Sequence, residues 1–252
     1  MNQHVRRFFD VPSGRGHHVP AVRVGAGIAI PLLLVISVGR VDLSVYVIFG
    51  SLTGVFGRIE AHALRFRHLS QAGALMGASV VVGATASMAG VGPWEVVVAG
   101  TVLAGILSIV SEWWRLRPAG PFFYLFAFTT TAGVPSTGRL WEAALAVGIS
   151  VATVLVLGWI GLVDPRRWRP AEAQDVPTAP TISTVVVRAC RYMIAVGAAG
   201  TVAAALGWGH HNWAMLAATA PIAAAGLGGA MAKATHSIVG TYLGVGLSAV
   251  LL

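Results

Sequence analysis

Charged residues are scarce in this chain. Of its 252 residues only 10% are Asp, Glu, Lys or Arg, whereas 56% are hydrophobic and the mean hydropathy is +0.77. A soluble domain carries roughly 25% charged residues, so the chain lacks the polar side chains that a water-facing surface needs. It contains instead several apolar runs close to the ~20 residues with which a helix crosses a hydrocarbon core of about 30 Å. The composition predicts an all-α, polytopic membrane protein.

Cysteine and catalytic motifs are scarce as well. The single Cys190 excludes an internal disulfide and offers no cysteine cluster to a metal ion. GxSxG, Walker and HExxH sequences are absent, so we predict no enzyme, no cofactor and no metal site. The 17 basic residues outnumber the 9 acidic ones, but they lie in short links between apolar runs. That distribution orients a membrane protein and does not indicate nucleic-acid binding.

The apolar runs predict about nine transmembrane helices, near residues 22–38, 43–57, 70–89, 94–110, 120–134, 140–163, 184–206, 212–228 and 236–252. They divide the chain into an N-terminal segment (1–21), a six-helix unit (22–163), a polar linker (164–183) and a three-helix unit (184–252). With the N-terminus inside, only Arg40 and Arg139 of the 17 basic residues fall on the outer side. The positive-inside rule therefore predicts a multi-pass protein of the inner (plasma) membrane, with the N-terminus and the linker cytoplasmic.

An internal repeat relates the two membrane units. A shift from position 46 to position 213 aligns four residues of one copy with four of the other: Tyr46 with Trp213, Ser70 with Ser237, Gly73 with Gly240, and Gly77 with Gly244. Each copy has an apolar run, a charged link and a run opening on Gly-x-x-x-Gly, a spacing that lets another helix pack closely. Chance similarity between glycine-rich helices is the alternative. Parallel repeats are predicted, with the second one incomplete at Leu252, which suggests either a truncated chain or a bundle completed by homo-oligomerisation.

The second copy also carries a recognisable signature, formed by Trp213, Thr219, Lys233, His236, Gly240-Thr241 and Gly244. It resembles the core pattern of the fusaric acid resistance / aromatic acid exporter (FUSC) family, in which a tryptophan-bearing helix precedes a basic link and a Gly-Thr-x-x-Gly helix. Residues 49–69 are similar to the first-half pattern of the shorter bacterial members. The chain departs from the pattern at Ser237, where such proteins place an arginine. The resemblance implies a secondary transporter that exports small organic acids, aromatic acids among them, driven by the proton gradient.

The basic link at residues 58–68 is one candidate for a substrate path. It carries Arg58 and Glu60 among further arginines and histidines. It is either a positive-inside loop beside anionic headgroups or a cationic vestibule that collects a small organic anion. Trp213, Lys233 and His236 are the corresponding candidates in the second copy.

The triplet Thr129, Thr130 and Thr131 is the other candidate, because Gly133 and Pro135 follow it. A short, Gly/Pro-interrupted segment is typical of a discontinuous helix at a transporter's binding site. The three hydroxyls either bond the preceding carbonyls within a helix or line a path together with the aromatic residues of 122–128.

Acidic residues sit near the predicted helix ends. Glu112 with Arg115, and Arg139 with Glu142, have the (i, i+3) spacing of plain ion pairs. This scarcity of membrane-embedded charge leaves a second function open, a non-transporting scaffold or assembly subunit whose main partner is the lipid bilayer.

Overall fold

The computed structural model describes residues 18–57, 62–135, 138–160, 180–222 and 240. Within these ranges every regular element is helical. Most of the N-terminal segment, most of the linker and most of the last predicted helix lie outside them. So do five of the predicted site residues: Arg58, Glu60, Lys233, His236 and Gly244.

Eight α-helices follow one another in the described ranges: α1 (His18–Ser37), α2 (Ser44–Ser51), α3 (His62–Met88), α4 (Pro93–Trp113), α5 (Phe122–Gly133), α6 (Leu140–Ile160), α7 (Ile182–Ala205) and α8 (His211–Thr219). Short 3-10 helices, Val41–Leu43 and Leu52–Val55, flank α2. Helices α3, α4, α6 and α7 are long and apolar enough to cross a membrane, and shorter apolar helices accompany them. The chain is thus an all-α, multi-pass membrane protein, as predicted.

Two helices differ from the sequence prediction. Helix α3 begins at His62, so the part of the basic link after that residue is helical, although the link was expected to be a loop. No glycine or proline interrupts this part, and arginine can keep its charged head in water while its stem lies along the helix. Helix α8 ends at Thr219 and a turn covers residues 220–222, well before the predicted end at 228. Pro221 contributes to this end, because proline has no backbone N–H with which to continue the helical hydrogen bonds.

The helices enclose two apolar cores that share α5. Helices α1, α2, α3 and α6 pack around the first core, to which α4 adds Leu107, and α4, α7 and α8 pack around the second. Tyr124 and Ala127 of α5 belong to the first core, whereas Leu125 and Phe128 belong to the second. Residues three apart lie on one helix face, so two adjacent faces of α5 are buried in different cores. Helix α5 therefore lies between the two cores and packs against both.

Helices α4 and α7 form the most extensive helix pair and run antiparallel. Their register is fixed by close contacts in which one partner is small. A Cβ on Gly105 would meet the Met193 sulfur at 2.6 Å, one on Gly197 would meet Thr101 at 3.2 Å, and one on Gly200 would meet Val97 at 2.9 Å. Glycine lets two backbones approach closely where hydrophobic burial contributes little to helix association in lipid.

Four helices end in the same hydrogen-bonded cap, in which a residue with positive φ follows the helix. Gly39, Gly90 and Gly207 occupy this position after α1, α3 and α7, and Arg115 occupies it after α4 with φ 55°. After α4 the Arg115 amide donates to Glu112 O and the Leu116 amide donates to Ser111 O, each at 2.9 Å. This is the Schellman arrangement, which glycine usually completes because it has no Cβ.

Replacing Arg115 by glycine should therefore raise the free energy of unfolding by up to about 1 kcal/mol, because left-handed backbone costs a non-glycine residue roughly 1–2 kcal/mol and the freer unfolded glycine chain offsets part of that gain. Gly207→Ala should lower it by about 1 kcal/mol. Space is not limiting at that site, since nothing lies within 4 Å of a Cβ at Gly207. Unfolding by SDS in mixed micelles measures both. Shifts of equal sign would contradict this account of the caps.

Candidate functional site

Two short helices contact the short helix α5. Helices α2, α5 and α8 have 8, 12 and 9 residues, 3-10 helices extend α2 to the segment Val41–Val55, and α5 contacts both of the others. At about 1.5 Å per residue, a helix like α5 covers roughly 18 Å of the ~30 Å core. Short helices that end at membrane depth are tolerated only where protein or a water-filled cavity surrounds them. They are also the usual location of a transporter's binding site.

An aromatic ladder joins the three short helices. We define it as Phe49 of α2, Phe122 and Phe126 of α5, and Trp213 of α8. The Phe126 ring lies 5.0 Å from that of Phe49 in edge-to-face geometry and 5.9 Å from that of Trp213, measured between centroids. Phe49 is buried, but Trp213 keeps 57% of its surface exposed. The ladder thus runs from the first core to an accessible indole.

The side of α5 that faces α8 also carries polar groups. Phe126, Thr130 and Gly133 are spaced i, i+4 and i+7, and therefore share one face. Phe126 touches Trp213 at one end of this face, and at the other a Cβ on Gly133 would collide with the Asn212 amide nitrogen. The Asn212 Oδ1 atom is buried without a hydrogen-bond partner among the described residues. The face therefore combines a ring surface with an amide oxygen and a hydroxyl.

The three threonines of α5 fall into two groups. Thr129 donates to Phe126 O at 3.3 Å and Thr131 donates to Ala127 O at 2.7 Å, and both side chains are buried. Their hydroxyls thus bond the preceding carbonyls, the first of the two arrangements considered above. Thr130 is only half-buried, and its hydroxyl makes no hydrogen bond within the described part of the chain. Helix α5 also continues through all three, so its interruption comes at Gly133.

Gly83 holds α5 in place, although the sequence analysis did not single it out. A Cβ at Gly83 would collide with the Thr131 hydroxyl and would lie 2.6 Å from Phe128 O. One turn further along α3, Ser87 donates to Val134 O at 2.7 Å. Ser79, Gly83 and Ser87 form a small-xxx-small pattern, a signal in the sequence that could have identified this contact.

The glycines predicted to pack helices differ in their surroundings. A Cβ at Gly73 would meet Val151 of α6 at 2.5 Å. Neither Gly77 nor Gly240 has an atom within 4 Å of a Cβ, and Gly240 is described only as helical and exposed. Close approach at the first Gly-x-x-x-Gly therefore involves Gly73 alone.

An ion cluster connects the α1–α2 link to the start of α6. Arg40 bonds Asp42 at 3.0 Å and Glu142 at 2.8 Å, while Glu142 also accepts the Arg139 backbone amide at 3.2 Å. The hydrogen bonds that Arg40 donates to the Asp42 and Glu142 carboxylates raise the pKa of Arg40 above its ordinary value, and Arg40 lowers the pKa of Asp42. Two basic residues are predicted on the outer side of the membrane. Arg40 thus forms ion pairs, and Arg139 takes part in the cluster through its backbone amide.

Glu112 pairs with a different arginine from the one its spacing suggested. Its Oε1 atom lies 3.0 Å from Nη1 of Arg188 on α7, and its side chain is only 5% exposed. The two groups approach as an ion pair without the alignment of a hydrogen bond. The expected pairing with Arg115 does not form, because Arg115 lies beyond the end of α4 with positive φ and has left the helical face.

Three polar residues, His210, His211 and Asn212, lie at the start of α8, which begins at His211. Burial lowers the pKa of His211 below its ordinary value, which favours the neutral imidazole at pH 7. Asn212 is the member of this group that reaches α5. Thr130, Asn212 and Trp213 are thus the polar and aromatic residues that the structure brings together.

Comparison with known proteins finds no relative: no family model, no curated protein and no solved structure matches the chain.

The α3–α5 contact can be tested by adding one methyl group at Gly83. Gly83→Ala should lower the free energy of unfolding by about 1–3 kcal/mol, the usual range for overpacking, because neither Phe128 O nor the α5 backbone can move aside. Gly77→Ala on the same helix is the matched control. It should be neutral or stabilising by about 0.5–1 kcal/mol, since a helical alanine is favoured over glycine. SDS titration measures both, and a neutral Gly83→Ala would contradict the contact.

Proposed function

We propose that this chain is a secondary transporter of the inner membrane that exports small organic acids, aromatic acids among them, and that it is a member of the FUSC family. Its N-terminus lies on the cytoplasmic side. The distribution of basic residues supports this orientation, and the signature around Trp213 supports the family.

The observation that carries the proposal is the face between α5 and α8. Phe126 and Trp213 offer ring surfaces, and Thr130 and Asn212 offer polar atoms that the described residues leave without partners. Binding sites for small molecules are mainly apolar with a few polar groups that fix orientation. Stacking against an aromatic ring suits a planar aromatic solute. The solute's polar group would then bond the Thr130 hydroxyl or the Asn212 side chain.

A scaffold or assembly subunit is the second candidate. The observation in its favour is that Thr129 and Thr131 direct their hydroxyls to carbonyls of their own helix. Tyr124 and Phe128 are also completely buried, which indicates packing. A scaffold would purify with a stoichiometric partner and would support no solute flux in liposomes.

Reconstituted protein should export labelled benzoate from proteoliposomes, and Trp213→Ala should reduce that flux by several-fold, up to about tenfold, because an aromatic ring contact contributes roughly 0.5–1.5 kcal/mol. Trp94→Ala is the control, since Trp94 is similarly exposed at 51% and has no ring partner among the described residues. Flux through that variant should stay within about twofold.

The panel should include salicylate and a neutral analogue, benzamide. Absence of flux for every acid, with the protein shown to be inserted and folded, would contradict transport of this class of solute. Equal losses in the two tryptophan variants would contradict the α5–α8 face as the site.

A further inference from the structure

Glu112 is the one acidic side chain that is buried among the described residues. It lies in the last turn of α4, a helix able to cross the membrane. An ionisable group buried there is expensive, and its presence usually indicates a function and a charged partner. The partner is Arg188 of α7, 3.0 Å away.

The two members of this pair have unequal surroundings. The Glu112 side chain is 5% exposed, whereas that of Arg188 is 46% exposed. A guanidinium group has five N–H donors, and among the described residues only Nη1 of Arg188 contacts an acid. Arg40 shows what one guanidinium can hold in this protein, because it bonds two carboxylates at once. Arg188 therefore keeps donors for a second carboxylate on its exposed side.

The end of the protein around this pair is strongly basic. Arg191 lies one turn further along α7, and Arg115 and Arg117 lie in the α4–α5 link; all three are exposed. A Cβ at Gly120 would lie 2.7 Å from the Tyr192 hydroxyl, which shows that this link packs against α7. Clustered charge of one sign attracts counter-ions from solution. In the proposed orientation this end faces the cytoplasm, where an exporter takes up its solute.

We infer that Arg188 binds the carboxylate of the exported acid at the cytoplasmic end of α4 and α7, and that Glu112 is a positioning residue which holds the guanidinium there. This inference rests on the proposed function. A carboxylate matches the planar donor fork of arginine and reaches it from the exposed side, so that Glu112 stays in place. The solute then enters a protein whose aromatic ladder begins at the same end of α5, with Phe122.

Equilibrium binding of labelled benzoate to the detergent-solubilised protein tests the inference without requiring transport. Arg188→Gln should weaken binding by about tenfold or more, because bonds to a charged group are the strong ones. Arg191→Gln is the matched control, a neighbouring exposed arginine of the same helix that should change binding by less than about twofold. Glu112→Gln keeps an acceptor oxygen beside the guanidinium but removes a nearby like charge from the site, so it should tighten binding by roughly threefold or more.

A variant without Arg188 leaves a buried carboxylate unpaired and can fail to fold. The double variant Glu112→Gln/Arg188→Gln removes both charges, and it should fold and still lose benzoate binding. A purely structural ion pair would instead change the unfolding midpoint of the single variants and leave the affinity of every folded variant unchanged. Wild-type affinity in the double variant, or equal losses for Arg188→Gln and Arg191→Gln, would overturn the inference.

A lipid phosphate offers chemistry similar to that of a carboxylate, so the measurement is repeated in phosphatidylcholine nanodiscs with and without phosphatidylglycerol. If Arg188 is needed for stabilisation by phosphatidylglycerol but not for benzoate binding, the inference is overturned. Arg188-dependent binding without flux would contradict transport and leave the anion site standing. Benzoate flux unaffected in the double variant would contradict the anion site and leave transport standing. Absence of both binding and flux would contradict both.

Discussion

The structure depends on how its neighbours hold the C-terminus of the short helix α5. Lipid offers no hydrogen bonds to backbone groups at a helix end. Two neighbouring helices contact this end, because Ser87 of α3 donates to the carbonyl of Val134 and Asn212 of α8 packs on Gly133. Helices α3 and α8 pack around different cores, so α5 joins the two cores. Separating the cores would break both of these contacts.

This arrangement also explains why the candidate site is where it is. A helix that is shared by two cores is covered on two faces, and α8 reaches it across a third. That third face contains Phe126, Thr130 and Gly133. It is less buried than the other two faces, and polar atoms beside it lack hydrogen-bond partners among the described residues. The two buried faces hold the rings in position, and the third face is where we propose that the solute binds.

The sequence predicted well what depends on local patterns and poorly what depends on distant partners. The bounds of α4 and α7 follow from apolar runs and lie within a few residues of their predicted positions. The partner of Glu112 did not follow from spacing, because a Schellman cap takes Arg115 off the helical face and Arg188 comes from a helix far along the chain. Thr131 likewise resembled Thr130 in the sequence, and only contact with α3 at Gly83 distinguishes the two.

Methionine oxidation would affect the packing of α4 against its neighbours. The side chains of Met193 and Met215 lie where Cβ atoms on Gly105, Gly100 and Gly200 would otherwise be, so each thioether occupies the space that a glycine leaves. Oxidation to the sulfoxide would add a polar oxygen at these points. Methionine sulfoxide at position 193 would therefore disturb the close contact between α4 and α7.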